Sequence, residues 1–138
     1  MNILVIDGQG GQLGCQIIKA IVAKHPEADV MAVGTNAVAT AAKIKGGAKK
    51  AATGENPVIV ACRRAEVING PVGIVIAVSL FGEITPVIAV AVGQSEATRI
   101  LIPVNRCENL IAGVPNLTVS ALVEDALIKL EKIIDKRS

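Results

Sequence analysis

The most informative part of this chain lies near its start, in residues Ile3-Leu4-Val5-Ile6-Asp7-Gly8-Gln9-Gly10-Gly11-Gln12-Leu13-Gly14. The apolar run before Asp7 is bounded by glycine, a pattern typical of a strand that is covered on both faces. Glycines then recur at every third position, as Gly8, Gly11 and Gly14. This spacing allows a strand to turn sharply into a helix and a phosphate to approach the backbone N–H groups. The stretch therefore predicts an anion or nucleotide site.

Strand-like and helix-like patterns alternate along the rest of the chain. Apolar residues recur at helical spacing from Gly11 to about Lys24, and further patterns predict strands at 29–34, 48–53 and 99–104 and helices at 36–45, 55–64, 85–97 and 118–135. Residues 67–69 and 73–78 are both strand-like, and the sequence leaves open which segment belongs to the main sheet. The alternation predicts a single α/β domain over residues 1–138, three-layered and Rossmann-like, with a doubly wound, mainly parallel sheet of about five strands.

Ligands of such sheets bind outside the carboxyl ends of the strands, where the strand order reverses. This rule places segments 7–12, 34–36, 53–56, 69–70 and 105–107 along one edge. Their Asn, Gln, Thr and Gly residues suit a polar ligand. The predicted binding residues are Gly8, Gln9, Gly10, Gly11, Gln12, Leu13, Gly14, Thr35, Asn36 and Asn105.

The glycine turn resembles the fingerprint of the extended short-chain dehydrogenase/reductase family, and Gly11-Gln12-Leu13-Gly14 is especially similar to its sugar-nucleotide reductases. The resemblance implies that Gly8 forms the turn, that Gly11 allows a phosphate to approach the N–H groups of Gln12 and Leu13, and that Gly14 allows the helix to pack on the strand. It also implies NAD(P) or another nucleotide as the cofactor. The chain departs from that family because residues 34–36 include no acidic residue and the chain has no tyrosine. Reductase chemistry of that type is therefore excluded, and the identity of the cofactor stays unknown.

Three further motifs resemble a family of small bacterial proteins, mostly from anaerobic Firmicutes, known as a domain of unknown function. They are Ile6-Asp7-Gly8-Gln9-Gly10-Gly11, Gly82-Glu83-Ile84-Thr85-Pro86 and Ile102-Pro103-Val104-Asn105-Arg106-Cys107. This resemblance implies no established activity.

Three residues are candidates for catalysis, although the sequence leaves open whether the protein is an enzyme. Asp7, at the end of a predicted strand, either binds a metal or caps the following turn, and capping is the preferred interpretation. Glu83 lies in an apolar region, where it must be at the surface or partnered; a role with Asp7 as a base or metal ligand is the alternative. Cys107 follows Arg106 and is either a reactive thiolate or a buried thiol. No metal site is predicted, because Cys15, Cys62 and Cys107 include no Cys-x-x-Cys pair.

Composition limits the classes of partner. The chain has 14 Lys and Arg against 12 Asp and Glu, and Phe81 is its single aromatic residue, so nucleic-acid binding is not expected. Residues 71–93 are nearly all apolar, but Glu83 and Pro86 interrupt them, which favours a buried strand and helix over a membrane span. The start of the chain does not resemble a signal peptide, so the cytoplasm is the expected location. The surplus of aliphatic residues predicts a homo-oligomer.

Two functions remain open. The first is a cytoplasmic protein that binds a nucleotide or phosphorylated metabolite through the loop from Gly8 to Gly14. The alternative is a non-enzymatic, homo-oligomeric regulatory or structural module in which the glycine turn is only architectural. The first requires that the amides at the start of the first helix are free to receive an anion, and it predicts that Gly11→Val abolishes binding.

Overall fold

The computed structural model of the chain describes residues 1–104 and 108–137. Its strands are β1 (Asn2–Asp7), β2 (Asp29–Gly34), β3 (Lys50–Thr53), β4 (Val67–Pro71) and β5 (Thr98–Ile102). Its α-helices are α1 (Gln12–Lys24), α2 (Ala37–Gly46), α3 (Glu55–Arg64), α4 (Pro86–Gln94) and α5 (Val119–Arg137), and a short 3-10 helix covers Val72–Val75.

The strands form one parallel sheet in the order β3-β2-β1-β4-β5. The chain runs outward from β1 through β2 to β3 and then crosses to β4 on the other side of β1. The strand order therefore reverses between β1 and β4, which is the place where α/β sheets bind ligands. The predicted fold class, a Rossmann-like, doubly wound and mainly parallel sheet of about five strands, is confirmed, and the sheet of the described residues has five strands that are all parallel.

Two apolar layers hold the helices to the sheet. On one face, Ile3, Val5 and Val30 pack with α1 and α5; on the other, Leu4, Ile6 and the apolar side of α3 and α4 form the second layer. Every apolar side chain of β1 is fully buried, as expected for a central strand covered on both faces.

Short polar signals set the helix boundaries. The Asn36 side chain accepts a hydrogen bond from the Ala39 N–H group and so caps α2, and Thr85 caps α4 through the Ile88 N–H group. Pro86 occupies the first turn of α4, where its missing N–H group costs nothing.

In the segment from residue 67 to 97, the structure decides between the two strand-like stretches and shortens the predicted helix. The strand is Val67–Pro71, and residues 73–78 form a 3-10 helix and turns instead. Helix α4 ends at Gln94, because Ser95 adopts an extended conformation and its hydroxyl accepts a hydrogen bond from the Ala97 N–H group.

Helix α4 is only half buried within this chain, although its composition predicted burial all round in the core or against another subunit. Ile88, Ala89 and Val92 face the core. Val87 and Val90 are exposed on the opposite side. Among residues 1–104 and 108–137, no helix combines the length and the apolar composition needed to cross a membrane.

Candidate functional site

Asp7 closes the turn between β1 and α1. One carboxylate oxygen accepts a hydrogen bond from the Gly8 N–H group at 2.8 Å, and the other accepts one from the Gly14 N–H group at 2.7 Å. Gly11 at the start of α1 has a left-handed conformation, with φ of 73°, and no side chain to cap the helix. Asp7 satisfies an N–H group of the first helical turn instead, so of its two predicted roles the geometry supports capping.

Lys43 of α2 provides a positive charge that acts on this buried carboxylate. Its side chain is fully buried, and its Nζ atom has no hydrogen-bond partner within the described part of the chain. A Cβ atom on Gly14 would lie 2.8 Å from Lys43 Cδ, so glycine at this position makes room for the lysine. Lys43 was not among the residues predicted for the site, because a lysine in a helix of mixed composition is normally solvent-exposed.

Burial shifts both ionisable groups toward their neutral forms. It raises the pKa of the Asp7 carboxyl, while the hydrogen bond from Gly14, the charge of Lys43 and the hydrogen bond from Gly8 oppose the shift. It lowers the pKa of the Lys43 ammonium, and attraction to Asp7 opposes that change. The attraction between the two charges therefore offsets only part of the free-energy cost of burying them.

The role that the reductase resemblance implied for Gly11 is not supported. A Cβ atom at Gly11 would lie 2.7 Å from Ala39 Cα, so the missing side chain lets α2 approach the turn. The close approach that this glycine permits in the structure is that of α2 to the turn. Gly10, by contrast, has no atom within 4 Å of its Cβ position and lies open at the surface.

Glu83 lies at the centre of a cluster of donors at the carboxyl ends of β1 and β2. Its Oε1 atom accepts hydrogen bonds from the Gln9 N–H group at 2.9 Å, Thr35 Oγ1 at 2.5 Å and Asn36 Nδ2 at 2.8 Å. Asn36 Nδ2 also donates to the Gln9 carbonyl oxygen at 3.0 Å. A Cβ atom at Gly8 would lie 2.6 Å from Thr35 Oγ1 and 3.0 Å from this Glu83 oxygen, which explains the glycine.

The donor cluster stabilises the ionised form of Glu83. Partial burial raises the pKa of the carboxyl, but the hydrogen bonds from Thr35, Gln9 and Asn36 together outweigh it, and the pKa lies below its usual value. Glu83 is therefore a partnered carboxylate, as one of the sequence interpretations expected. The signal available in the sequence was a single carboxylate in an apolar segment directly before a helix cap.

The segment that carries Glu83 has an unusual backbone. Val78, Leu80 and Phe81 have φ values of 63°, 55° and 55°. This left-handed conformation is costly for side chains other than glycine and especially for a β-branched one. Leu80 is buried, whereas Phe81 is fully exposed. The segment is held by its own hydrogen bonds, including those from the Val78 N–H group to the Ile84 carbonyl and from Gly82 to the Val78 carbonyl.

Side chains of the protein occupy several amides of the turn, although the first functional hypothesis concerns the amides at the start of α1. The N–H groups of Gly8 and Gly14 donate to Asp7, and that of Gln9 donates to Glu83. Two acidic side chains of the protein thus satisfy these donors. For the N–H groups of Gln12 and Leu13, at the start of α1, residues 1–104 and 108–137 supply no recorded acceptor.

The structure brings Gln9, Thr35 and Asn36 together, as the parallel topology predicted. It buries Asn69, whose Oδ1 atom has no hydrogen-bond partner among the described residues, so this side chain does not line the edge. Asn105 and Cys107, also named as candidates, lie outside the described residues. Within the ranges that the structure describes, no group of three or more His, Cys, Asp or Glu residues could hold a metal ion.

No curated protein matches the chain. One similar solved structure is the dodecameric FMN-dependent Ubix-like decarboxylase from Escherichia coli O157:H7, with 16% sequence identity and a TM-score of 0.46 over 95% of this chain and 76% of that chain. The family model described as Domain of unknown function (DUF3842) matches residues 2–135. Because this match spans nearly the whole chain, the protein belongs to the DUF3842 family of domains of unknown function.

Proposed function

We propose that the protein binds a nucleotide or phosphorylated metabolite at the carboxyl ends of β1 and β2, and that an oxyanion of the ligand takes the place of the Glu83 carboxylate. One observation carries this proposal. Three donors, the Gln9 N–H group, the Thr35 hydroxyl and the Asn36 amide, converge on a single anionic oxygen. Charge-assisted hydrogen bonds of this kind recognise carboxylate and phosphate oxygens alike.

The surroundings of the donor cluster support an anionic ligand. The N–H groups of Gln12 and Leu13 lie at the positive end of the α1 dipole, where a phosphate would find further donors. Asp7 opposes a second negative charge, but both of its oxygens accept backbone hydrogen bonds and Lys43 offsets part of its charge. Once Glu83 has moved away, the ligand therefore meets several hydrogen-bond donors, and Asp7 is the negative charge that opposes it.

Binding is tested by isothermal titration calorimetry with a panel that contains NAD(P), ATP, coenzyme A, sugar nucleotides and inorganic phosphate. Thr35→Val, which removes one donor and keeps the shape, is made in the Glu83→Gln protein, because in the wild type the Thr35 hydroxyl serves the Glu83 carboxylate before binding and the ligand after it, so that its loss would largely cancel. In the Glu83→Gln background the ligand alone offers this hydroxyl a charged oxygen, so we expect affinity to fall about tenfold or more, the worth of one hydrogen bond to a charged group. Thr98→Val is the matched control, because Thr98 is exposed at the opposite end of the sheet and should leave affinity unchanged.

Glu83→Gln removes the competing negative charge and retains the size of the side chain. We expect this variant to bind the same ligand about tenfold more tightly, which corresponds to about 1.4 kcal/mol. If neither the wild-type protein nor this variant binds any member of the panel, the proposal is rejected.

The same contacts favour a second candidate, in which Glu83 closes the turn permanently and the protein is a non-enzymatic, homo-oligomeric regulatory or structural module. Under this alternative, the carboxylate contributes only stability. Glu83→Gln would then lower the melting temperature and no ligand of the panel would restore it. Under the first candidate, the lost stability returns when the ligand is added.

A further inference from the structure

The outer face of α4 lacks the polar residues that solvent-facing helices normally carry. The helix contains no charged residue, and Val87 and Val90 on its outer side are 47% and 51% exposed. A helix that is apolar on all sides is normally covered on all sides. Residues 1–104 and 108–137 cover the side that bears Ile88, Ala89 and Val92 and leave Val87 and Val90 exposed.

A groove of about 940 Å³ runs beside this face, between α3 and α4. Apolar groups from Ile59, Val87, Val90 and Ala91 line it. Cys62 also contributes, but burial raises the pKa of its thiol to about 11, so at neutral pH it is an apolar lining group and not a nucleophile. The groove is therefore suited to apolar side chains.

The charged residues of the groove are balanced in sign. Arg63 and Arg137 line it together with Glu66 and Glu96. Arg137 pairs with Glu66 in the same chain, whereas no ion pair is recorded for Arg63 or Glu96 within the described residues. A rim with equal numbers of positive and negative groups does not complement a strongly charged partner such as a nucleic acid. It does complement a second copy of itself.

We propose that a second copy of this chain docks here, with the outer face of α4 from each copy packing into the groove of the other about a twofold axis. In a twofold interface the same patch is used twice, so Arg63 of one copy can meet Glu96 of the other and the reverse. The apolar residues of α4 then form the centre of the interface and the unpaired charges its rim. This inference does not depend on the proposed ligand.

Sedimentation velocity and native mass spectrometry over a micromolar concentration range test the proposal. Wild-type protein is expected to be dimeric or a higher oligomer built from dimers. Val90→Glu places a charge at the centre of the interface and should raise the dissociation constant about a hundredfold or more. Val38→Glu is the matched control, because Val38 is 67% exposed on α2, away from the groove, and its replacement should leave assembly unchanged.

Reciprocal charge changes identify the occupant as a second copy. Arg63→Glu and Glu96→Arg should each weaken the dimer, and combining them in one chain should restore it. Circular dichroism confirms that each variant is folded, and Val87→Lys replaces Val90→Glu if that variant does not fold. The proposal is overturned if the wild type is monomeric or if the Val90→Glu protein remains dimeric. It is also overturned if Val38→Glu dissociates the dimer equally, or if the double charge change does not restore it. A monomer that carries a different macromolecule or a lipid on this face would overturn it as well.

Discussion

Replacing Lys43 with methionine should lower the free energy of unfolding by about 3 kcal/mol at neutral pH, because it leaves the buried Asp7 carboxylate without its countercharge. Methionine is close to lysine in length and fills the same space, so little packing is lost. We expect no more than the low end of the range for broken buried ion pairs, because within the described residues Lys43 acts on Asp7 through its charge and not through a direct salt bridge. Lys43 Nζ makes no hydrogen bond within the described residues, and burial already lowers the pKa of its ammonium.

The double-mutant cycle separates the charge interaction from other effects. Asp7→Asn alone leaves the ammonium buried without a countercharge, whereas the combined Asp7→Asn and Lys43→Met protein has no buried charge at this place. We therefore expect the double variant to be more stable than the sum of the single effects predicts, by about 2 kcal/mol in urea unfolding. Lys45→Met, at an exposed position of the same helix, is the control and should change stability by less than about 0.5 kcal/mol.

The pH dependence gives a second readout. In Lys43→Met the pKa of Asp7 should rise further above that in the wild type, so the folded protein binds the proton more tightly than the unfolded chain. The stability deficit of this variant has its full size above the pKa of Asp7 in the folded variant, and it disappears as the pH falls from there to the pKa of Asp7 in the folded wild type, which itself lies above the ordinary aspartate value. Single effects that simply add, or a deficit that does not change between neutral and acidic pH, would refute the reasoning.

Three other outcomes are expected. Glu83→Gln should be less stable than the wild type, and the difference should have its full size above the ordinary glutamate pKa. The difference should disappear as the pH falls through the lower pKa of Glu83 in the folded state, as thermal melts across acidic pH would show. Val78→Asn should raise the melting temperature by about 3 °C, because asparagine tolerates the left-handed backbone better and Val78 is largely exposed; an unchanged or lower value in calorimetry would show that the conformation is not strained. Gly11→Ala should destabilise the fold by about 2 kcal/mol or more in urea unfolding, because its Cβ atom would collide with Ala39 in a left-handed backbone, and a loss below about 0.5 kcal/mol would contradict that packing.

The sequence predicted most elements because their signals are local. The apolar run of β1 needs no knowledge of its neighbours, and the Thr85-Pro86 pair marks the start of α4 by capping and ring geometry alone. The choice between residues 67–69 and 73–78 had no local signal. Val67–Pro71 is a strand because it pairs with β1 and β5, whereas the Ser79 hydroxyl donates to the Gly73 carbonyl oxygen and holds the following segment in turns.

The site was predictable in outline for a topological reason. Parallel strands end at one edge, so Gln9 and the residues after β2 had to lie close together. Their common partner was not predictable, because Glu83 is 74 residues from Gln9 in the chain and reaches it only through the fold of the segment after β4. Lys43 was missed for a similar reason, since its burial depends on how α2 packs against Gly11 and Gly14.

The packing of Gly11 also changes which experiment distinguishes the two candidate functions. Gly11→Val was expected to separate ligand binding from architecture, but the contact with Ala39 means that this change damages the fold in either case. Thr35→Val and Glu83→Gln act on the donor cluster itself. The left-handed conformations of Val78, Leu80 and Phe81 bear on the same question, because such a residue carries strain of about 1–3 kcal/mol, which a rearrangement of the segment to ordinary φ values would release. The free energy released in this way would offset part of the hydrogen-bond energy that is lost when Glu83 leaves the donors. A ligand that supplies its own oxyanion to Gln9, Thr35 and Asn36 therefore has a smaller energy to overcome than the three lost hydrogen bonds alone would suggest.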